Sequence, residues 1–181
     1  MKFLKVLPIT LITIFTLISC NNDDDSGNDT SNFSANLTSL NNSSATGVAN
    51  VSVNGNALTV TINATGMVAN QPHPQHIHGL EDGSNATCPP PSADTDNDGI
   101  ITVPEGAPFY GGILLPLENF PQADANGNLT FSQTFTLGEN GVLTAETLGN
   151  LENRVIVLHG LDNNGSYVPT IPVACGQLTK I

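Results

Sequence analysis

Basic residues are scarce in this sequence. It contains four Lys and Arg against sixteen Asp and Glu, which gives a formal net charge of −12. Lys2 and Lys5 lie at the extreme amino terminus, so only Arg154 and Lys180 remain for the rest of the chain. Nucleic acid is a poor partner for such a chain, because its binding depends on neutralising phosphates with Lys and Arg. An acidic surface instead favours metal cations as partners.

Tryptophan is absent, and no long segment shows the periodicity of an amphipathic helix. Glycine and proline, by contrast, occur 17 and 12 times, and valine, threonine and asparagine are common. This composition is typical of short strands joined by tight turns. The sequence therefore predicts an all-β fold.

The amino-terminal segment has the pattern of a secretory signal. Two lysines precede an apolar run at residues 6–18, which is shorter than the roughly 20 residues of a membrane-spanning helix. Residues 17–20, Leu-Ile-Ser-Cys, resemble a bacterial lipobox, which implies cleavage after residue 19 and lipidation of Cys20. We expect a signal peptide at residues 1–19 and a lipid-anchored protein of the cell envelope, facing the periplasm or the outer surface. The alternative is an ordinary signal peptide with a chance cysteine.

The segment after the signal is polar and acidic. Residues 20–31 hold almost no apolar side chain and cannot form a core, so they are predicted to be a disordered tether. Residues 32–181 have the length of one domain.

Alternating apolar and polar residues mark the strands of this domain. Asn54-Gly55 lies between two such runs and predicts a hairpin, and Asn126-Gly127 precedes another. Residues 155–158 are all apolar, and the run 154–159 that contains them is predicted to be a central strand. Short strands with glycine-rich turns favour a Greek-key β-sandwich or barrel. The predicted strands lie at 47–53, 58–62, 76–80, 129–137, 154–159 and 171–178, with a short helix within 141–153.

Three cysteines are present. With Cys20 assigned to lipidation, Cys88 and Cys175 form an even pair in an oxidising compartment, which predicts one disulfide. The alternative is two unpaired thiols.

Three of the four histidines lie within residues 73–78. His76 and His78 are two apart, so in a strand they face the same side. His159 ends another predicted strand and is a third candidate ligand. Imidazole groups suit copper or zinc. His73 lies between two prolines, and its side chain would be either a fourth ligand or exposed.

Residues 94–105 match the calcium-loop pattern D-x-D-x-D-G-x5-E, and they resemble an EF-hand loop. Prolines before, within and after this segment argue against flanking helices, so we expect a bare calcium loop in a β domain. The alternative is a solvated acidic turn. The candidate calcium ligands are Asp94, Asp96, Asp98, Ile100 through its carbonyl, Thr102 and Glu105.

Four separated motifs, in their order along the chain, resemble the Cu,Zn superoxide dismutase family. They are His76-Ile77-His78-Gly79, Cys88, Arg154-Val155-Ile156-Val157-Leu158-His159 and Ala174-Cys175-Gly176. Over residues 36–181, this resemblance implies a Greek-key barrel of the superoxide dismutase type. It also implies that His76, His78 and His159 are copper ligands and that Cys88 is bonded to Cys175. Residues 37–79 resemble the CHRD domain too, a secreted β-rich module.

Two features of the dismutase family have no counterpart here. No histidine follows Cys88 within a few residues, and Pro172 lies where the family has an arginine. We therefore expect an exported lipoprotein with a superoxide dismutase-like domain that binds calcium and copper or zinc. The alternatives are an active copper-dependent dismutase and a non-catalytic CHRD-type surface interaction module.

Overall fold

The computed structural model describes residues 30–139 and 144–181. The predicted signal peptide, Cys20 and the tether up to residue 29 lie outside these ranges, so lipid anchoring stays a prediction. The first strand begins at Ser31, the last residue of the predicted tether. Within the described ranges, no helix combines the length and apolarity needed to cross a membrane.

Strands dominate the described part of the chain. Two short α-helices accompany them, α1 (Val103–Tyr110) and α2 (Ala145–Leu148), together with single 3₁₀ turns at Pro91–Ala93 and Leu151–Asn153. The all-β class predicted from the sequence is therefore confirmed. The strands are β1 (Ser31–Ser39), β2 (Thr46–Asn54), β3 (Ala57–Thr65), β4 (Gln75–Gly79), β5 (Gly112–Pro116), β6 (Leu129–Thr136), β7 (Val155–Asn163), β8 (Ser166–Gln177) and β9 (Thr179–Lys180).

The strands form one curled antiparallel sheet with the order β5-β4-β7-β8-β1-β2-β3-β6, and β9 pairs with β1. β1 and β8 pair over only two positions, Thr38 with Cys175 and Ser39 with Ala174. The sheet therefore bends there into two layers, β5-β4-β7-β8 and β1-β2-β3-β6. The chain leaves β3 for β4 in the opposite layer and returns in β6 to the side of β3. This crossing gives the Greek-key arrangement of a sandwich or half-closed barrel.

The predicted hairpin is present between β2 and β3. These strands pair from Thr46 with Thr65 to Asn54 with Ala57, so the connecting turn consists of Gly55 and Asn56. Gly55 has a φ of 58°, a conformation that favours glycine in two-residue hairpin turns. The turn thus begins directly after Asn54 and contains Gly55, in agreement with the predicted hairpin.

Apolar side chains at alternating positions along the strands fill the space between the two layers. On β3, Leu58, Val60 and Ile62 are fully buried in the main core, whereas the intervening threonines are partly exposed. Ile77 of β4 and Leu158 of β7 join the same core from the opposite layer. One-sided burial of this kind fixes strand register, because a shift by one residue would turn these side chains to solvent.

β7 is buried on both faces, as expected for the central strand predicted at 154–159. Its Ile156 and Leu158 belong to the main core, whereas Val155 and Val157 belong to a second cluster on the outer face. Tyr110 of α1 is part of that second cluster. The segment between β4 and β5, including α1, therefore covers the outside of the β4-β7-β8 layer.

A disulfide attaches this covering segment to the sheet. Cys88 is bonded to Cys175 of β8, with the two Cα atoms 5.7 Å apart, which confirms the pairing predicted from the sequence. Cys175 is fully buried in the second cluster. Structural disulfides persist in oxidising compartments, so the bond fits a protein that functions outside the cytoplasm.

The expectation that no helix flanks the acidic loop is wrong on its carboxyl-terminal side, where α1 begins at Val103. Pro104 lies in the first turn, where a missing N–H costs no intrahelical hydrogen bond. Glu105 reinforces the start of the helix, because its carboxylate accepts from the backbone N–H and the hydroxyl of Thr102, both at 2.8 Å. Strands β1, β5 and β9 were not predicted from the sequence either.

Candidate metal centre

Strand pairing brings the three candidate histidines together. His76 and His78 lie on one face of β4, with Ile77 on the opposite, core-facing side. β4 pairs with β7 through His76 with Val157 and His78 with Val155. His159 lies farther along β7, and its backbone N–H donates to the carbonyl of Pro74 just before β4. The cluster therefore depends on two neighbouring antiparallel strands.

Irregular pairing occurs beside two of these histidines. The register of β4 with β5 shifts between Ile77 and His78, and the register of β7 with β8 shifts on both sides of His159. Such bulges redirect side chains and are frequent next to functional sites. Gly160 follows His159 with a φ of 112°. The bulge at His159 thus includes a residue whose backbone favours glycine.

The ligand atoms of His76, His78 and His159 all lie within 4.8 Å of one another. His78 and His159 are buried, and His76 is half-buried. The ring centroids of His76 and His159 are 5.1 Å apart. Three imidazoles that converge from two strands of one sheet form a compact set of nitrogen donors.

One ring nitrogen on each histidine is buried and has no hydrogen-bond partner. These atoms are Nδ1 of His76 and Nε2 of His78 and His159. Buried polar atoms are nearly always partnered in proteins, so three orphans in one place suggest a ligand. Imidazole nitrogens of this kind suit copper or zinc.

Backbone carbonyls orient two of the rings. The Nδ1–H of His78 donates to the carbonyl of Gly111 at 3.1 Å, and the Nδ1–H of His159 donates to the carbonyl of Thr170 at 2.8 Å. In each ring the Nε2 lone pair is consequently free for a metal. This second contact is what metal-binding histidines usually make.

The surroundings keep the three rings uncharged. Burial is the largest cause of a lowered pKa at His76, to about 3, and repulsion by His159 and His78 in their protonated forms lowers it further. Burial likewise lowers the pKa of His78 to about 4, although the hydrogen bond to Gly111 opposes this shift. The pKa of His159 is lowered by burial, and the Thr170 carbonyl opposes it. Neutral imidazole is the form that binds metals.

His73 lies outside the cluster. Its ring is fully buried, with Nδ1 at 2.9 Å from the carbonyl oxygen of His159 and Nε2 at 3.0 Å from that of Val68. Both nitrogens face carbonyl oxygens, so neither is directed at the cluster. His73 instead supports the backbone of His159. A Cβ on Gly160 would lie 2.6 Å from Nδ1 of His73, so glycine there permits this close approach.

Aromatic side chains border the histidines. The Tyr110 ring lies 4.8 Å from the ring of His78, and the Phe120 ring lies 5.9 Å from that of His76, as measured between centroids. Burial raises the pKa of Tyr110 to about 12, and its hydroxyl donates to the carbonyl of Val103. Tyr110 is therefore a neutral wall of the site.

The acidic loop is a separate group of oxygen ligands. Carboxylate oxygens of Asp94, Asp96 and Asp98 lie within 4.8 Å of one another. Backbone N–H groups of Asp98, Gly99 and Ile100 donate to these carboxylates. The loop thus curls so that its first three acidic positions converge, as a calcium loop requires.

Glu105 lies outside this group of three carboxylates. Its Oε1 accepts from the N–H and hydroxyl of Thr95, both at 2.9 Å, while its Oε2 accepts from Thr102. The hydrogen bonds from Thr102 and then those from Thr95 lower the pKa of Glu105 to about 2. Thr102 and Glu105 therefore contact each other, whereas Ile100 donates its N–H to Asp98.

Several contributors to the site had no detectable signal in the sequence. Gly111 and Thr170 act through backbone carbonyls, which any residue possesses. Tyr110 and Phe120 reach the histidines from segments that are distant from His159 in sequence. Only tertiary contacts could identify them.

Comparison with known proteins leaves the family open. The sequence matches no known family model, and no curated protein matches it significantly.

Proposed function

We propose that this protein is an exported, lipid-anchored metal-binding protein whose superoxide dismutase-like domain holds copper or zinc through His76, His78 and His159. The observation that carries the proposal is the convergence of three unpartnered, buried imidazole nitrogens. Their lowered pKa values favour metal binding at neutral pH. When bound, the metal would supply a Lewis-acidic centre, and copper would add redox chemistry.

Metal content of the purified exported protein tests this proposal. We expect about one copper or zinc per chain by elemental mass spectrometry after dialysis, and loss of most of it in His159→Ala. His73→Ala is not a suitable control, because it removes support for His159. Asn164→Ala, in an exposed turn of the same strand pair, should leave the metal content unchanged. A chain that takes up no copper or zinc would refute the proposal.

A second ion, calcium, is proposed for the acidic loop. The convergence of three aspartates supports it, and extracellular sites of this kind bind calcium at about 10⁻⁴–10⁻³ M. We expect calcium to raise the thermal midpoint of the protein, and Asp94→Ala with Glu105→Ala to abolish that increase. Asp124→Ala, in a different loop, is the control. Identical melting with calcium and with a chelator would contradict this assignment.

Copper-dependent dismutation of superoxide is the alternative function. The adjacent histidine strands and the disulfide support it, since both are features of the family that the sequence resembles. The histidine after Cys88 and the arginine at position 172 are missing, and the strong negative charge opposes capture of an anion. Turnover of the copper-loaded chain, lost in His76→Ala, would favour the enzyme.

A further inference from the structure

The three histidines form the floor of a pocket. Its volume is about 460 Å³, which lies within the range of small-molecule sites. One wall comes from α1 and the start of β5, and the other comes from the segments around Pro74 and Pro169.

The walls of this pocket are apolar. Among the described residues that line it, there is no Lys, Arg, Asp or Glu. Val103 and Ile113, two large hydrophobic side chains exposed by 40% and 54%, lie in its walls. The hydroxyl of Tyr110 donates a hydrogen bond to the carbonyl of Val103. The buried side-chain atoms of the lining that lack a partner are the three histidine nitrogens on the floor.

These features do not favour a small inorganic anion as the ligand of the pocket. Among the described residues that line the pocket, no cationic side chain is present to guide an anion to the metal. Arg154 is buried and donates to the carbonyls of Leu148 and Asn153, and Lys180 lies on β9 beside β1 in the opposite layer. An organic ligand gains free energy when its apolar part leaves water for the apolar walls of the pocket, and a single polar group of that ligand can reach the metal.

We propose that the pocket binds a neutral, largely apolar small organic molecule that carries one donor atom for the metal. This inference rests on the proposed function, because the metal at the histidines anchors the head of the ligand. The walls formed by Val103, Ile113 and Tyr110 hold its apolar body. Among ligands with the same donor group, the pocket thus favours those with an apolar body.

Two probes that carry the same metal-binding imidazole group, but differ in the size of their apolar part, test the inference. The exported full chain is loaded with copper(II), and binding of imidazole and of 4-phenylimidazole is followed by the visible absorption of the metal. We expect 4-phenylimidazole to bind at least about tenfold more tightly, because its phenyl ring is buried against the walls. Equal affinity for the two probes would overturn the proposal.

Charged substitutions in the walls provide the matched comparison. Ile113→Asp should remove the preference for the phenyl group without removing copper, since Ile113 is exposed and is not a ligand. Val103→Asp on α1 should also remove the preference for the phenyl group, and this variant is used instead if Ile113→Asp does not fold. Val48→Asp, an equally exposed apolar position on β2, should retain the preference. A preference that persists in both wall variants would overturn the proposal.

The result separates this inference from the proposed function. If the chain binds copper through His159 but shows no preference, the ligand inference alone fails. If the chain binds no copper or zinc, the proposed function fails and the ligand inference fails with it.

Discussion

Gly111 has a particular role at the scale of single residues. Its carbonyl orients His78, its φ is 78°, and a Cβ at this position would overlap the carbonyl oxygen of Gly79. A larger residue must therefore move the backbone that holds the ring. A Cβ on the neighbouring Gly112 would meet no atom within 4 Å, and the φ of Gly112 is not positive. An added methyl group would therefore overlap a neighbouring carbonyl at Gly111 but would meet open space at Gly112.

We therefore expect Gly111→Ala to destabilise the protein by about 1–3 kcal/mol and to weaken copper or zinc binding. Gly112→Ala should change both properties little. Urea denaturation measures the free energy of unfolding, and equilibrium dialysis measures metal affinity. Equal effects of the two substitutions would show that the carbonyl of Gly111 has no special role.

The histidine pKa values predict how the stability of the metal-free protein changes with pH. Imidazoles of the unfolded chain titrate near 6.5, whereas those of His76 and His78 in the folded protein titrate at about 3 and 4. Below pH 6.5 the unfolded chain therefore binds protons that the folded protein does not. The free energy of unfolding should fall as the pH is lowered from 7 to 5.5.

Urea denaturation at several pH values checks this prediction. His76→Gln removes one of the titrating groups and should reduce the pH dependence over that interval. If the free energy of unfolding of His76→Gln depended on pH as strongly as that of the unaltered chain, the lowered pKa of His76 would be contradicted.

At the scale of elements, the segment between β4 and β5 connects the two candidate ion sites. It carries Cys88, then the aspartates of the acidic loop, then α1 with Tyr110 beside His78. The side chain of Asn41 holds the end of the loop, because it accepts from Ile101 N–H and donates to the Ile101 carbonyl. The disulfide and these bonds attach the segment to the sheet.

Removal of the disulfide should consequently affect both stability and the metal centre. Replacing Cys88 and Cys175 by serine opens a loop with a sequence separation of 87 residues, and such a loss typically costs about 2–4 kcal/mol. Urea denaturation should show this decrease, together with weaker metal binding as α1 loosens. A reducing agent should destabilise the unaltered protein but leave the double variant unchanged. If stability is equal in both proteins, the bond does not stabilise the fold.

At the scale of the whole molecule, the charge distribution limits the reactions available at the candidate metal centre. The formal net charge is −12, and the walls of the pocket are apolar. An approaching anion is repelled by this field, and added salt screens the repulsion. The charge of the chain thus acts on ligands before they reach the histidines.

We expect any superoxide dismutation by the copper-loaded protein to become faster as ionic strength increases. The kcat/KM for superoxide, measured from low to physiological salt, tests this expectation. Imidazole binding, which involves a neutral ligand, should be nearly independent of salt over the same range. A dismutation rate that decreases with salt would indicate a local positive field near the metal.

The sequence alone predicted much of this protein because those features depend on local chemistry. Alternation specified the paired strands around Gly55, a continuous apolar run specified the central strand before His159, and the spacing of His76 and His78 placed them on one face. The repeated aspartates of residues 94–98 predicted a converging loop. Cysteine number and compartment predicted the disulfide.

Tertiary structure alone decided the features that involve distant segments. The position of His159 beside His76 depends on the pairing of β4 with β7, and the role of His73 depends on the bulge at Gly160. The helix α1 forms despite two prolines because Glu105 and Thr102 stabilise its start and Tyr110 is buried against the sheet. The apolar pocket arises where this helix meets the histidine strands. Contacts between residues far apart in the chain leave no periodic pattern in the sequence, so only the folded structure reveals them.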